Sequence, residues 1–148
     1  MQKTVVLPTW RESPSDDLDG PNDAYATITD HGTHRRVVFS GGLVTEGDLG
    51  DQVRAVLSHR REALRDFGGS MDDAVRTRYL VREEHLDRES QATVHEARDG
   101  FFEHPHYPAS TMVGVGSLLA EDALVEVELE AEIPEGAWDV EVLTEEDV

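Results

Sequence analysis

The chain has 148 residues, of which 32 are acidic and 13 are basic, and it contains no cysteine. This length suits one domain with a single core, and the lack of cysteine excludes disulfides and thiol chemistry. The net charge of -19 argues against a nucleic-acid partner, because such a chain repels phosphates.

Acidic residues recur in every segment of the chain, which is typical of the solvated acidic surface of halophilic proteins. An acidic disordered interaction protein is the alternative, but a hydrophobic content of 38% in periodic blocks favours a folded domain. No run approaches the ~20 apolar residues of a membrane span, and the apolar run at the N-terminus is too short for a signal peptide. We therefore predict a cytoplasmic protein with neither a membrane nor a nucleic-acid partner.

The first part of the chain predicts a short strand, a loop and a hairpin. The strand is expected at residues 4–7, and the loop at 11–23, which is rich in Pro, Ser, Gly and Asp. The runs AYATIT and HRRVVFSGGLV are rich in β-branched residues and flank a turn in which Gly32 tolerates positive φ. These two runs predict the hairpin.

A helical period begins at Asp48 and ends at the pair Gly68-Gly69, where a left-handed cap fits. One face of this predicted helix collects the apolar residues Val53, Val56, Leu57, Ala63, Leu64 and Phe67. The run AVRTRYLV then alternates and predicts a half-buried strand with Val75, Thr77, Tyr79 and Val81 facing inward.

A second helix is predicted over ESQATVHEARDGFF, with Asp87 or Ser90 as its cap and with Val94, Ala97, Phe101 and Phe102 inward. Two further strands are expected at residues 110–116 and 123–133. The last strand has the strongest period-two signal, because apolar residues alternate with Glu126, Glu128, Glu130 and Glu132. One face of this strand should be buried and the other should carry four carboxylates.

The element order β-β-α-β-α-β-β predicts an α+β fold, with a mixed sheet and both helices on one face. We divide the chain into an N-terminal strand and loop extension (1–24), a central domain (25–133) and an acidic C-terminal extension (134–148). The C-terminal extension contains Trp138 and is expected to be an extra strand or a partly ordered segment.

Two pairs of histidines raise the hypothesis of a metal site: His31 with His34, which follow Asp30 in DHGTH, and His104 with His106 in HPHYP. A His-x-His pair on extended backbone can point both rings to one side, as a metal requires. Neither pair has a third ligand at a recognised spacing, so solvated loop histidines are the favoured interpretation and no metal is predicted.

The sequence contains few other motifs that indicate catalysis or ligand binding. The chain has no phosphate-binding loop and no serine in a nucleophile-elbow sequence. The pair Gly41-Gly42 at a strand end either admits a ligand close to the backbone or marks a bulge or tight packing. Among the glutamates of the last strand, one that loops or subunits cover can act as a general acid or base.

Four ordered motifs across residues 25–133 together resemble the RidA family, also called YjgF or Rid. They are VVFSGGLV, the helix and strand DQVRAVLSHRREALRDFGGSMDDAVRTRYLV, the segment TVHEARDGFFEHPHYPAST, and the strand ALVEVELEA. The resemblance implies a chorismate-mutase-like fold that forms a homotrimer with a central barrel. It also implies sites in the clefts between subunits.

The resemblance further implies hydrolysis of reactive enamines and imines to 2-oxo acids and ammonia, without a metal or organic cofactor. In the family, an Arg grips the substrate carboxylate and a Glu with a bound water performs proton transfer and attack. Carried over by position, the Glu is Glu126, the glycine of the pocket is Gly41, the aromatic wall is Tyr25, and the helix residue is His95.

The chain departs from the family pattern at three positions of this site. The family's Pro-Ala-Arg is here Pro-Ala-Ser, ending at Ser110, while Met112 stands where Cys is frequent and His95 where Asn is frequent. Losing the Arg predicts weak or absent deaminase activity unless protonated His95, Arg36 or Arg78 reaches the cleft. A non-deaminating small-molecule binder is therefore the alternative function, and an endoribonuclease, which the charge disfavours, is the third.

Overall fold

The computed structural model describes residues 1–9, 13 and 15–148. Among these residues, six strands form one sheet: β1 (Lys3–Val6), β2 (Ala26–Asp30), β3 (His34–Phe39), β4 (Ala74–Arg82), β5 (Ala109–Val115) and β6 (Val125–Pro134). The two α-helices are α1 (Leu49–Asp66) and α2 (Arg88–Arg98). The strand order is β1-β2-β3-β6-β4-β5, with β4 and β5 parallel and the other described pairs antiparallel. The predicted α+β fold is confirmed.

The alternating sequence of the central strand β6 gives the sheet one face that is buried in the core. Its apolar residues lie at most 6% exposed in the core with the helices: Val125, Val127, Leu129, Ala131 and Ile133. The alternating glutamates are half-buried on the opposite face, as the period-two pattern predicts. On that face Arg36 pairs with Glu130 at 3.2 Å, and Arg78 pairs with Glu128 at 3.4 Å. Cross-strand ion pairs therefore cover the open face of the sheet.

Helix α1 begins and ends where the sequence predicts. The Asp48 side chain accepts from the backbone N–H of Asp51 at 2.9 Å. In return, the Asp48 N–H donates to the Asp51 carboxylate at 3.0 Å. This last bond, with the bond from Arg54, lowers the pKa of Asp51. Gly68 has a φ of 84°, which confirms the left-handed cap that stops the helix.

One polar residue on the buried face of α1 was not predicted to be inside. Gln52 is fully buried, and its amide oxygen accepts from the backbone N–H of Leu124 at 2.8 Å. Its amide nitrogen donates to the carbonyls of Asp122 at 3.1 Å and Gly47 at 3.3 Å. Because buried amides must be satisfied, these bonds fasten the loop before β6 to the helix.

One predicted inward position is wrong, and the second helix is shorter than predicted. Val75 is 36% exposed, because a register shift between Ala74 and Arg76 interrupts the alternation of β4 and leaves Ala74 buried in its place. Helix α2 ends earlier than predicted, since the residue that follows its C-cap is Gly100 with a φ of 85°. After this break Phe102 remains buried, and Phe101 is half-buried and packs against the core.

The two extensions differ in structure. β1 pairs with β2 as an edge strand, whereas positions 11, 12 and 14 of the predicted loop lie outside the described residues. The C-terminal extension forms no strand at 135–148, so the extra strand is wrong. Instead, the Trp138 indole N–H donates to the Asp73 carboxylate at 2.8 Å and anchors this segment. No helix in the described part of the chain is long and apolar enough to cross a membrane.

Candidate functional site

The glycine pair after β3 brings the backbone against a carboxylate of β6. Gly42 and Val127 exchange two backbone hydrogen bonds of 2.9 and 2.8 Å, which re-form the ladder beyond the end of β3. A Cβ atom added to Gly41 would lie 2.7 Å from Glu126 Oε1. The backbone at Gly41 is therefore packed tightly against β6, and any larger residue at position 41 would displace the Glu126 carboxylate.

An open groove of about 740 Å³ lies beside this contact, and three of the predicted site residues line it: Tyr25, Gly41 and Glu126. Tyr25 packs edge-on against the buried ring of Phe39, with centroids 5.7 Å apart. Among the described residues, no side chain donates a hydrogen bond to the Glu126 carboxylate. Its oxygens can therefore accept a proton or a hydrogen bond from a molecule in the groove.

A buried arginine forms the floor of this groove and was missed by sequence reasoning. Arg60 is 4% exposed, and its guanidinium lies 5.0 Å from the ring centroid of Tyr25 and 4.9 Å from that of Phe39. Nη2 donates to the Ser40 carbonyl at 2.9 Å, and a Cβ on Gly42 would overlap it. Arg60 thus positions the turn that carries Gly41. The signal was its spacing from Val56 and Leu64 on the apolar face of α1.

A second, smaller cleft of about 240 Å³ lies between α2 and β5 and contains two other predicted site residues, His95 and Ser110. Arg98 lies between them. Its Nη1 donates to Ser110 Oγ at 3.0 Å, and its Nη2 lies 3.3 Å from His95 Nδ1. The Arg98 guanidinium also lies 5.7 Å from the ring centroid of Tyr79.

Arg98 is a cation of this cleft that the sequence analysis did not suggest, whereas His95, which it did suggest, also lines the cleft. Arg36 and Arg78 are on the open face of the sheet, where each pairs with a glutamate of β6. Arg98 was overlooked because its approach to Ser110 depends on how α2 packs against β5. Its spacing of three residues from His95 on one helix face was the available signal.

Within one chain, the side chains of Ser110 and Glu126 lie on opposite faces of the sheet. Ser110 is paired with Thr77, which is buried on the helix face, and paired residues share a face. Glu126 is paired with Leu80 on the open face, where the other glutamates of β6 also lie. Glu126 and Ser110 therefore cannot contact the same small ligand within one protomer.

Met112, the remaining predicted site residue, lies outside both clefts. It lines a shallow depression at the start of α2, together with Leu86, Asp87, Arg88 and Gln91. Its backbone is paired with the buried Tyr79, two positions along β5 from Ser110, so Met112 is on the same helix face of the sheet as Ser110. Met112 thus shares a sheet face with Ser110 but lines a different depression.

His31 lies in the turn before β3 and His34 is the first residue of that strand, while His104 and His106 lie in the segment before β5. The rings of His31 and His34 stack with centroids 4.8 Å apart, and hydrogen bonds of 3.0 Å join them to Thr29 and Thr33 respectively. His104 precedes a cis proline and lies 5.8 Å from the ring centroid of Tyr107. The described residues contain no group of three or more side chains arranged to hold a metal ion.

A mixed sheet with two helices on one face and a carboxylate groove at its edge defines a class of small α+β proteins. The family model described as Endoribonuclease L-PSP matches residues 22–133. The chain belongs to this family, whose solved members are also named YjgF or Rid. None of the curated proteins compared with the chain matches it.

Solved structures share the fold over most of the chain. Rv2704 from Mycobacterium tuberculosis, a member of the YjgF/YER057c/UK114 family, is 28% identical with a TM-score of 0.67, covering 89% of this chain and 100% of its own. YyfA from Yersinia pestis, of the Rid family, is 22% identical with a TM-score of 0.67, covering 89% and 100% respectively. NMB1025 from Neisseria meningitidis, a YjgF member, is 17% identical with a TM-score of 0.69, covering 93% and 98%.

Proposed function

We propose that the protein hydrolyses reactive 2-imino and 2-enamino acids to 2-oxo acids and ammonia. Family membership supports this proposal, since the RidA resemblance implies this reaction without a metal or organic cofactor. The observation that carries it is the Glu126 carboxylate, which lies against Gly41 in the wall of an open groove. A carboxylate in this position can transfer protons to and from a bound substrate.

The reaction requires water to add to the imine carbon and ammonia to leave. A first proton passes from the attacking water through Glu126 to the imine nitrogen, which gives a carbinolamine. A second proton passes from the carbinolamine hydroxyl to the nitrogen, the carbon–nitrogen bond breaks, and ammonia leaves a 2-oxo acid. The half-buried position of Glu126 beside backbone rather than beside a basic side chain suits this proton shuttle.

The proposal predicts faster loss of a transient imine. A dehydratase acting on serine or threonine supplies 2-aminoacrylate or 2-iminobutyrate, and the decay of imine absorbance is followed in molar salt. We expect a decay rate above the uncatalysed rate that rises in proportion to the concentration of this protein. Equal decay rates with and without the protein would refute deaminase activity.

A non-deaminating small-molecule binder is the second candidate, because Ser110 occupies the position of the family's carboxylate-binding Arg. A bidentate Arg–carboxylate contact contributes about 1.5–3 kcal/mol, which a serine hydroxyl cannot replace. The two candidates differ in one measurement. A binder would retain a 2-oxo acid in the cleft while leaving imine decay unchanged.

Endoribonuclease activity, which the family description names, is the third candidate. The net charge of -19 argues against it, because an RNA strand would be repelled over much of the surface. The cytoplasmic location stays a prediction.

We further propose that the chain assembles as a homotrimer, with its ligand in a cleft between subunits. The separation of Glu126 and Ser110 on opposite sheet faces supports this assembly, since only a second copy can complete the site. β5 is an edge strand and is largely exposed, and Tyr107 beside it is 65% exposed. Apolar groups exposed along a strand edge favour a covering partner.

The trimer should depend on salt. Light scattering in molar salt is expected to give the mass of three subunits, and dilution into low salt should loosen the assembly. Each chain carries a net charge of -19, so a trimer carries about three times that charge. At low salt this charge is poorly screened, and the subunits repel one another. A monomer in molar salt would contradict the assembly, and unchanged stability in dilute buffer would contradict salt adaptation.

A further inference from the structure

We infer that Arg98 binds the carboxylate of a small anionic ligand in the cleft between α2 and β5. The inference deepens the proposed function, on which it rests for the identity of the ligand as a 2-imino or 2-oxo acid. Arg98 would then supply from a helix the positive charge that Ser110 does not supply from β5.

The first support is the charge of Arg98. Its guanidinium contacts the Ser110 hydroxyl and the His95 ring, and no ion pair joins it to a carboxylate of the described residues. An arginine keeps its charge at any pH of interest and has five N–H donors. Two of its contacts leave donors available for the two oxygens of a carboxylate.

The second support is a buried hydroxyl in the wall of the same cleft. Thr77 is 1% exposed and lines the cleft, and its Oγ1 has no hydrogen-bond partner among the described residues. Buried hydroxyls are nearly always satisfied, so one that lacks a partner calls for a group that supplies it. A ligand oxygen held between Arg98 and Ser110 is next to the strand position of Thr77, because Thr77 and Ser110 are paired.

The remaining walls limit the size and nature of the ligand. The volume of about 240 Å³ suits a molecule of a few heavy atoms and is too small for a nucleotide. Phe102, Pro108 and Tyr107 supply apolar surface to the same cleft. The cleft therefore fits a short-chain acid with a hydrocarbon end, such as 2-oxobutyrate, the product of 2-iminobutyrate hydrolysis.

Calorimetric titration of 2-oxobutyrate into the protein tests this inference, with all variants in the same molar salt. We expect Arg98→Gln to raise the Kd by about ten- to hundredfold, the effect of losing one charge-assisted contact. The matched control is Arg65→Gln, which removes an exposed arginine of α1 that lines neither cleft and should leave the Kd unchanged. The amide of 2-oxobutyrate lacks the negative charge, so its Kd should be insensitive to Arg98→Gln.

A second variant tests whether misfolding, rather than loss of the charge, raises the Kd of Arg98→Gln. Asp99 also lines the cleft, and its carboxylate repels an anion there. Asp99→Asn should therefore lower the Kd by about two- to fivefold, an improvement that a damaged fold would not produce. No binding of 2-oxobutyrate to the unmodified protein, or an equal Kd in the Arg98→Gln variant, would overturn the inference. Binding that depends on Arg98 without imine hydrolysis would overturn only the proposed function.

Discussion

Replacing Glu126 with Gln is expected to lower kcat/KM for imine hydrolysis by about 10²–10⁴-fold, the usual contribution of a positioned general acid or base. Gln has nearly the shape of Glu, so it preserves the packing of this side chain against Gly41. It cannot, however, accept the proton of the attacking water. The imine decay assay in molar salt measures this loss directly.

The chain offers a matched control on the same strand and the same face. Glu132 lies six positions further along β6, is also half-buried, and has no ion-pair partner among the described residues. Glu132→Gln makes the same change of charge outside the groove and should retain the unmodified rate. Equal losses in both variants would show that Glu126 acts only through the charge of the strand face.

Binding separates the role of Glu126 from that of Arg98. Glu126→Gln should leave the Kd for 2-oxobutyrate within about twofold, because the carboxylate is proposed to act on the reacting nitrogen and water. Arg98→Gln should raise the Kd and the KM. A large rise in Kd in the Glu126→Gln variant would instead make Glu126 a ligand-binding residue.

The close approach of Gly41 to Glu126 could be predicted because the sequence patterns that produce it are local. The alternation of Val and Glu along β6 places Glu126 on the open face, and a glycine pair at the end of β3 permits close approach to it. Both features depend on neighbours in the sequence and on one antiparallel pairing. The structure brings Gly41 and Glu126 together, as the resemblance implied.

The arrangement of the cleft between α2 and β5 could not be predicted in the same way. The contact of Arg98 with Ser110 joins the end of α2 to an edge strand, and it depends on the length of the helix and the register of β5. The sequence predicted a helix that continued through Phe102, whereas the break before Gly100 ends it at Arg98. The exposed position of Val75 has a similar origin, since only the pairing of β4 with β6 reveals the bulge.

The role of Arg60 was missed for a different reason. Its position on the apolar stripe of α1 was visible in the sequence, but a charged residue there is usually taken to lie at the margin of the stripe. Two aromatic rings and a backbone carbonyl contact its guanidinium, although its buried Nε has no hydrogen-bond partner among the described residues. These partners come from the hairpin rather than from the helix. The periodicity located Arg60, while its role depended on tertiary contacts.

A mixture of these two impaired variants should regain activity, assayed at a substrate concentration below KM, if the site lies between subunits. Glu126→Gln and Arg98→Gln chains are denatured together in equal amounts and refolded in molar salt. Each site would take Glu126 from one chain and Arg98 from a neighbour, since the two residues lie on opposite sheet faces of one protomer. Random assembly then joins the two intact residues at about one site in four, so about a quarter of the unmodified activity should return.

Two controls define this result. Folded trimers of the two variants, mixed without denaturation, should show only the sum of their separate activities. Refolding the Arg98→Gln variant with a chain that carries both substitutions should also give no recovery, because no intact Arg98 is then present. A refolded mixture of the single variants that stays at the sum of their activities would contradict a shared site, since residues acting within one protomer cannot complement each other across chains. Recovery to about a quarter of the unmodified activity would require that a neighbouring chain supply Arg98 to the groove that contains Glu126.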